Sequence, residues 1–106
     1  MAGFRLLRRA RDDLLDIAAF TAERWGDEQA ERYVALLFAG FQKLVDLPEL
    51  RRAYPDIPPY WRALQERHAV FYRIADDGET LIVRVLHAAM LPELHLSADD
   101  DEDDET

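Results

Sequence analysis

The sequence predicts an α+β domain, with an N-terminal β-strand and an antiparallel helical hairpin packed on a small antiparallel sheet, in the order β-α-α-β-β-β. Three observations carry that expectation. Apolar residues recur at helical spacing from Asp12 to Pro48, with one break at Gly26-Asp27. Beyond Pro48 the pattern changes to β-branched and aromatic runs separated by turn residues. The 106 residues include no cysteine, so one core must close by packing alone, and two layers of secondary structure are what such a chain can bury.

Each element has its own reason. Phe4-Arg5-Leu6-Leu7-Arg8 is short and partly alternating, with Phe4 and Leu6 on one face, as suits an edge strand. From Asp12 to Trp25 the positions Leu14, Ile17, Ala18, Thr21 and Trp25 form one helical stripe; Asp12 or Asp13 is placed to cap it and Gly26 to end it. A second helix starts near Asp27, with Ala30, Tyr33, Val34, Leu37, Phe41 and Leu44 in register until Pro48 stops it. So short a joint forces the two helices to be antiparallel neighbours. Pro55, Pro58 and Pro59 mark a loop, and Trp61–Gln65 and Ala69–Ile74 read as strands. Asp76-Asp77-Gly78 is a hairpin turn, because glycine takes a positive φ without a Cβ clash, and Leu81–Leu86 is β-branched enough for a central strand. The helices need a sheet face to cover, and the expected antiparallel meander has one apolar face to offer.

Charge divides the chain. The net charge is −9, but the unbroken acidic run from Asp99 to Glu105 leaves only −2 over residues 1–98. Residues 1–96 are therefore expected to be the folded domain and residues 97–106 an acidic tail that stays solvated. A sharper reading makes the tail a polyanion mimic that covers arginines of its own domain. No run of 18 apolar residues exists and the first residues lack the pattern of a secretory signal, so a cytoplasmic protein without a membrane segment is expected.

Asp13-Leu14, Ile17, Trp25-Gly26, Gln29-Ala30, Tyr33, Phe41, Pro48, Asp56-Ile57, the run His68–Arg73 and the run Arg84–His87 fall in a distinctive order and spacing. Jointly they resemble the ParE branch of the RelE/ParE toxin superfamily over about residues 4–96. The resemblance implies two N-terminal helices on a small antiparallel sheet, a ParD-like antitoxin with which the chain forms a hetero-oligomer, and DNA gyrase as target. It implies no specific DNA contact of its own. The sequence departs from the family pattern at Arg51, at Tyr60 before Trp61-Arg62, and at Ala89-Met90-Leu91. The family implicates the C-terminal stretch in toxicity, which makes Met90 a contact candidate.

Related RelE-type toxins cut messenger RNA, a reaction that needs an acid or base at the 2′-hydroxyl and cations on the phosphate. Arg62, Arg67, Arg73 and Arg84 lie on the sheet segments, and His68, Tyr72 and His87 are able to move protons. Strand arginines also simply point to solvent or pair with a helix carboxylate. Tyr72 also reads as a core aromatic, and His87 as a buried hydrogen-bonded side chain without a companion histidine. Arg73 and Arg84 fall on matching faces if the hairpin register allows it, and two guanidinium forks there would suit an acidic partner segment. No helical metal spacing occurs among His68, His87 and His95, and the four glycines build no phosphate loop, so neither metal nor cofactor is expected. Trp25, Phe38, Trp61 and Phe71 are the natural aromatic anchors for a partner helix, and Phe20, Leu36 and Phe38, off the main stripes, should leave apolar surface exposed. Three functions follow in order: a non-enzymatic gyrase inhibitor, a RelE-like ribonuclease if Arg, His and Tyr converge in one concave site, and a degenerate toxin kept for antitoxin binding.

Overall fold

The computed structural model describes residues 3–47 and 60–88. Strand β1 (Phe4–Leu6) leads into α1 (Arg8–Trp25) and α2 (Asp27–Asp46), followed by β2 (Trp61–Gln65), β3 (His68–Ile74) and β4 (Thr80–His87). The order of elements and the helical hairpin are those the sequence predicts. Residues 48–59 and 89–106, which carry the proline loop, Met90 and the acidic tail, lie outside the described residues.

Three expectations are corrected. Helix α1 starts at Arg8, four residues before Asp12, and its N-cap Leu7 offers no side-chain bond. Neither Asp12 nor Asp13 caps it; Leu7 supplies its carbonyl to the Arg11 N–H at 3.0 Å, and Asp13 has another task described below. The sheet is mixed, in the order β1-β4-β3-β2: β2, β3 and β4 form the expected antiparallel meander, but β1 pairs parallel to β4, Phe4 to Leu6 against Thr80 to Ile82. A three-residue strand carries no pattern that tells parallel from antiparallel pairing.

The third correction concerns the faces of the sheet. Val70, Tyr72, Ile82 and Val85 meet Ala10, Leu14 and Ile17 of α1 and Leu37, Phe41 and Leu44 of α2 in the main core, with Phe4 and Leu6 packed against it. A second buried cluster unites Leu7, Tyr60, Ala69, Phe71, Leu81, Val83 and Leu86. The sheet therefore buries apolar side chains on both faces. Strict alternation would set Ile82 and Val85 on opposite faces, yet both join the main core. A register shift between Phe71 and Tyr72 reconciles them: Tyr72 opposes Ile82 and Phe71 opposes Arg84, so β4 carries one residue more than β3 across that point.

Glycine fixes two of the turns. Gly26 alone joins the helices at φ 96° and ψ 162°, backbone space that is closed to residues with a Cβ. Gly78, at φ 90°, closes the β3–β4 hairpin by donating its N–H to the Ala75 carbonyl at 2.8 Å. Asp77 Oδ1 accepts the Glu79 N–H at 2.9 Å, so the Asp-Gly signal acts through both residues.

Candidate functional site

The end of α1, the start of α2 and the β2–β3 turn enclose a groove of about 680 Å³. Its helical walls carry Asp16, Ile17, Phe20, Thr21, Trp25, Gln29, Tyr33 and Leu36, and its far end carries Glu66, Arg67, His68 and His87. The apolar part is open to solvent: Trp25 is 64% exposed, Phe20 59% and Leu36 50%. The helical period sets Trp25 on the buried stripe of α1, but residues 23–25 are all exposed, and the ring is left outside the core. The Arg24 guanidinium lies 5.4 Å from the centre of the Phe20 ring, so one groove aromatic already carries a cation on its face.

The polar end is built on Tyr33. Its hydroxyl accepts the Arg67 N–H at 3.0 Å and lies 2.7 Å from His68 Nδ1. The phenol oxygen keeps one proton and a second acceptor position, so the contact forms with His68 Nδ1 either as acceptor or as donor, according to the tautomer. Burial lowers the His68 pKa from its ordinary value, the neighbouring His87 lowers it further, and Asp13 opposes both. Burial likewise raises the Tyr33 phenol, an effect that the Arg67 N–H bond moderates and Glu66 reinforces. His87 stands directly opposite His68 in the sheet, with ring centres 5.7 Å apart.

Of the side chains singled out from the sequence, the groove brings together the polar Arg67, His68 and His87 with Trp25, an expected anchor, and Phe20 and Leu36, expected to be exposed. His87 is exposed and has His68 beside it, which corrects the expectation of a buried, companionless histidine. The pairing is invisible in the sequence because it depends on the extra residue of β4: counting back from Ile74 opposite Thr80 without the bulge would set His68 against Leu86. Tyr33, which periodicity marks only as a stripe position, gives no local sign of its role, since its partner is 35 residues away.

The other candidates are dispersed. Trp61 is half-buried on β2 opposite Tyr72 and packs on the main core, in which Tyr72 is wholly enclosed. Arg62 lies opposite Phe71, and Arg73 opposite Leu81, both half-buried. Phe71, expected to be an anchor, is fully buried and unavailable to a partner. Phe38 keeps partial exposure but stacks with Phe4 and Phe41 at ring-centre distances of 6.1 and 5.5 Å. Arg84 is buried, and its Nε and Nη2 hold Asp13 at 2.7 and 2.9 Å. That bidentate bond occupies the fork that the sequence offers, jointly with Arg73, to an acidic ligand. Among the described residues no group of three or more His, Cys, Asp or Glu is placed to hold a metal ion, and no helix is long and apolar enough to cross a membrane.

Comparison with known proteins places these features. Residues 4–92 match the family model described as ParE toxin of type II toxin-antitoxin system, parDE. Toxin ParE1 of Caulobacter vibrioides is 37% identical over 97 residues, spanning 91% of this chain and 99% of that protein. Toxin ParE1 of Mycobacterium tuberculosis is 37% identical over 82 residues, 76% of this chain and 84% of its own length. Toxin ParE of Escherichia coli is 31% identical, spanning 85% of this chain and 88% of its own. Among solved structures, a chain of the chromosomal ParDE TA system from P. aeruginosa superposes with a TM-score of 0.73 at 20% identity, over 82% of this chain and 96% of that one, a likeness of fold.

Proposed function

This chain belongs to the ParE family of toxins of type II toxin–antitoxin systems, and from that premise we propose that it is neutralised by a ParD-like antitoxin and acts by binding and inhibiting DNA gyrase, without chemistry of its own. The observation that carries the binding reading is the groove beside α1 and α2, where Phe20, Trp25 and Leu36 stand exposed together. Such a patch costs solubility unless a partner covers it, and an amphipathic helix laid into a groove is the economical cover. The antitoxin supplies that helix, and the two proteins act in the cytoplasm as a hetero-oligomer.

Convergence of Arg, His and Tyr is the condition for a ribonuclease, and Arg67, His68, His87 and Tyr33 do share the groove. The surroundings argue against phosphodiester chemistry. Asp16 and Glu66 share the same groove and repel a phosphate, its walls are largely apolar, and Nδ1 of His68 is engaged by the Tyr33 hydroxyl.

Expression of the chain alone should arrest growth, and co-expression of the antitoxin should restore it. With purified protein, plasmid supercoiling by gyrase should fall and cleaved plasmid accumulate while messenger RNA stays intact. RNA cleavage with unaffected gyrase would overturn the reading, and inertness in both assays would leave a degenerate toxin that only binds antitoxin.

A further inference from the structure

The residues of the β2–β3 turn do not suit its backbone. Gln65 pairs with His68, which leaves Glu66 and Arg67 as a two-residue loop. A loop that short calls for positive φ, and glycine, asparagine or aspartate usually supplies it. Here Glu66 takes φ 58°, the one positive φ outside glycine among the described residues. A residue with a Cβ holds that conformation at a cost in stability that glycine would remove.

The turn is nevertheless anchored from two sides. The Tyr33 hydroxyl of α2 accepts the Arg67 N–H at 3.0 Å, and the Arg67 carbonyl accepts the Ala88 N–H at 3.1 Å just beyond β4. Glu66 and Arg67 are both exposed, and both line the end of the groove. Among the described residues no ion pair engages the Glu66 carboxylate or the Arg67 guanidinium. Two charges of opposite sign thus stand at a fixed place at the end of an apolar groove. Solvation alone needs neither a strained backbone nor two anchors. The walls formed by Phe20, Trp25 and Leu36 suit the apolar stripe of a helix, and the end of the groove sets Asp16 and Glu66 against Arg67.

We propose that Glu66 and Arg67 form a charged tip that selects the antitoxin: the helix that fills the groove carries a basic side chain to meet Glu66 and Asp16, and an acidic one to meet Arg67. The assignment rests on the antitoxin docking proposed above. Glu66 stands where glycine would be more comfortable because its carboxylate makes that contact, so the turn gives up stability for recognition. An antitoxin with the two charges exchanged meets like charges at both places and is rejected.

The test compares melting temperature and antitoxin affinity for the full-length protein and its variants. Glu66→Gly should keep or raise the melting temperature, because glycine takes positive φ freely, yet weaken antitoxin binding about fivefold or more. Glu66→Gln, which retains the strained backbone and loses only the charge, should weaken binding as much with no gain in stability. Arg67→Ala should weaken it too, and the salt dependence of the wild-type affinity should shrink in the Glu66→Gln/Arg67→Ala double variant. Wild-type affinity in Glu66→Gln and Arg67→Ala would overturn the tip, as would a lower melting temperature in Glu66→Gly. Loss of gyrase inhibition by these variants with antitoxin binding intact would assign the tip to the target and overturn the proposal equally. If the wild-type protein binds no antitoxin, the proposed function itself falls; if it binds and the variants bind equally well, only the tip does.

Discussion

Asp13 serves two partners with one carboxylate. It binds the Arg84 guanidinium through both oxygens and accepts the Val85 N–H at 2.9 Å, with both side chains of the pair nearly buried, 8% and 12% exposed. Replacing it by alanine takes two hydrogen bonds and the counter-charge from a buried guanidinium and the acceptor from a strand N–H, and should lower unfolding free energy by about 3 kcal/mol. Urea denaturation measures this; a loss below about 1 kcal/mol would show that water takes over the role. Asp13→Asn, which keeps an acceptor, should cost less. Read from the sequence, Asp13 belongs at a helix start, because acidic residues there are common caps. Its partners lie 71 and 72 residues downstream, beyond the reach of any local pattern. Buried apolar positions such as Leu37, Phe41 and Leu44 are legible for the opposite reason, since periodicity alone places them.

At the scale of elements, the hairpin of α1 and α2 turns on a single residue. Gly26 occupies a backbone conformation that a Cβ disfavours strongly, and its N–H still closes α1 by reaching the Ala22 carbonyl at 2.8 Å. Gly26→Ala should destabilise the protein by about 1–3 kcal/mol although nothing stands where the new methyl would go. A thermal melt measures this: at ψ 162° asparagine gains nothing from its tolerance of the αL region, so Gly26→Asn should lose at least as much as alanine. Both helices, the meander and the hairpin turn are readable because each is signalled within its own residues. The bulge in β4 is not, since it appears only when two strands are aligned, and with it goes the pairing of His68 with His87.

For the whole molecule, the unusual quantity is apolar surface left outside the core. Phe20, Trp25 and Leu36 line one groove, while Leu15, Leu47 and Leu64 are exposed elsewhere. Changing Phe20, Trp25 and Leu36 together to serine should raise the soluble yield of the toxin expressed alone and reduce antitoxin binding at least tenfold, with little change in melting temperature because none of the three supports the core. A pull-down with the co-expressed antitoxin checks this; full binding by the triple variant would move the interface away from the groove. The sequence anticipates leftover apolar surface but not its location, because a groove is a property of the assembled layers. The pairing of β1 with β4 has a consequence in time. Phe4 to Leu6 find their places only against Thr80 to Ile82, so β1 must wait for β4. A ribosome that has made the helical hairpin has made a local structure able to form early, but the sheet beneath it cannot close until Thr80–Ile82 have emerged. The groove, framed by the helices and by the far end of that sheet, is therefore incomplete until β4 is in place, and a nascent chain has no finished groove before then.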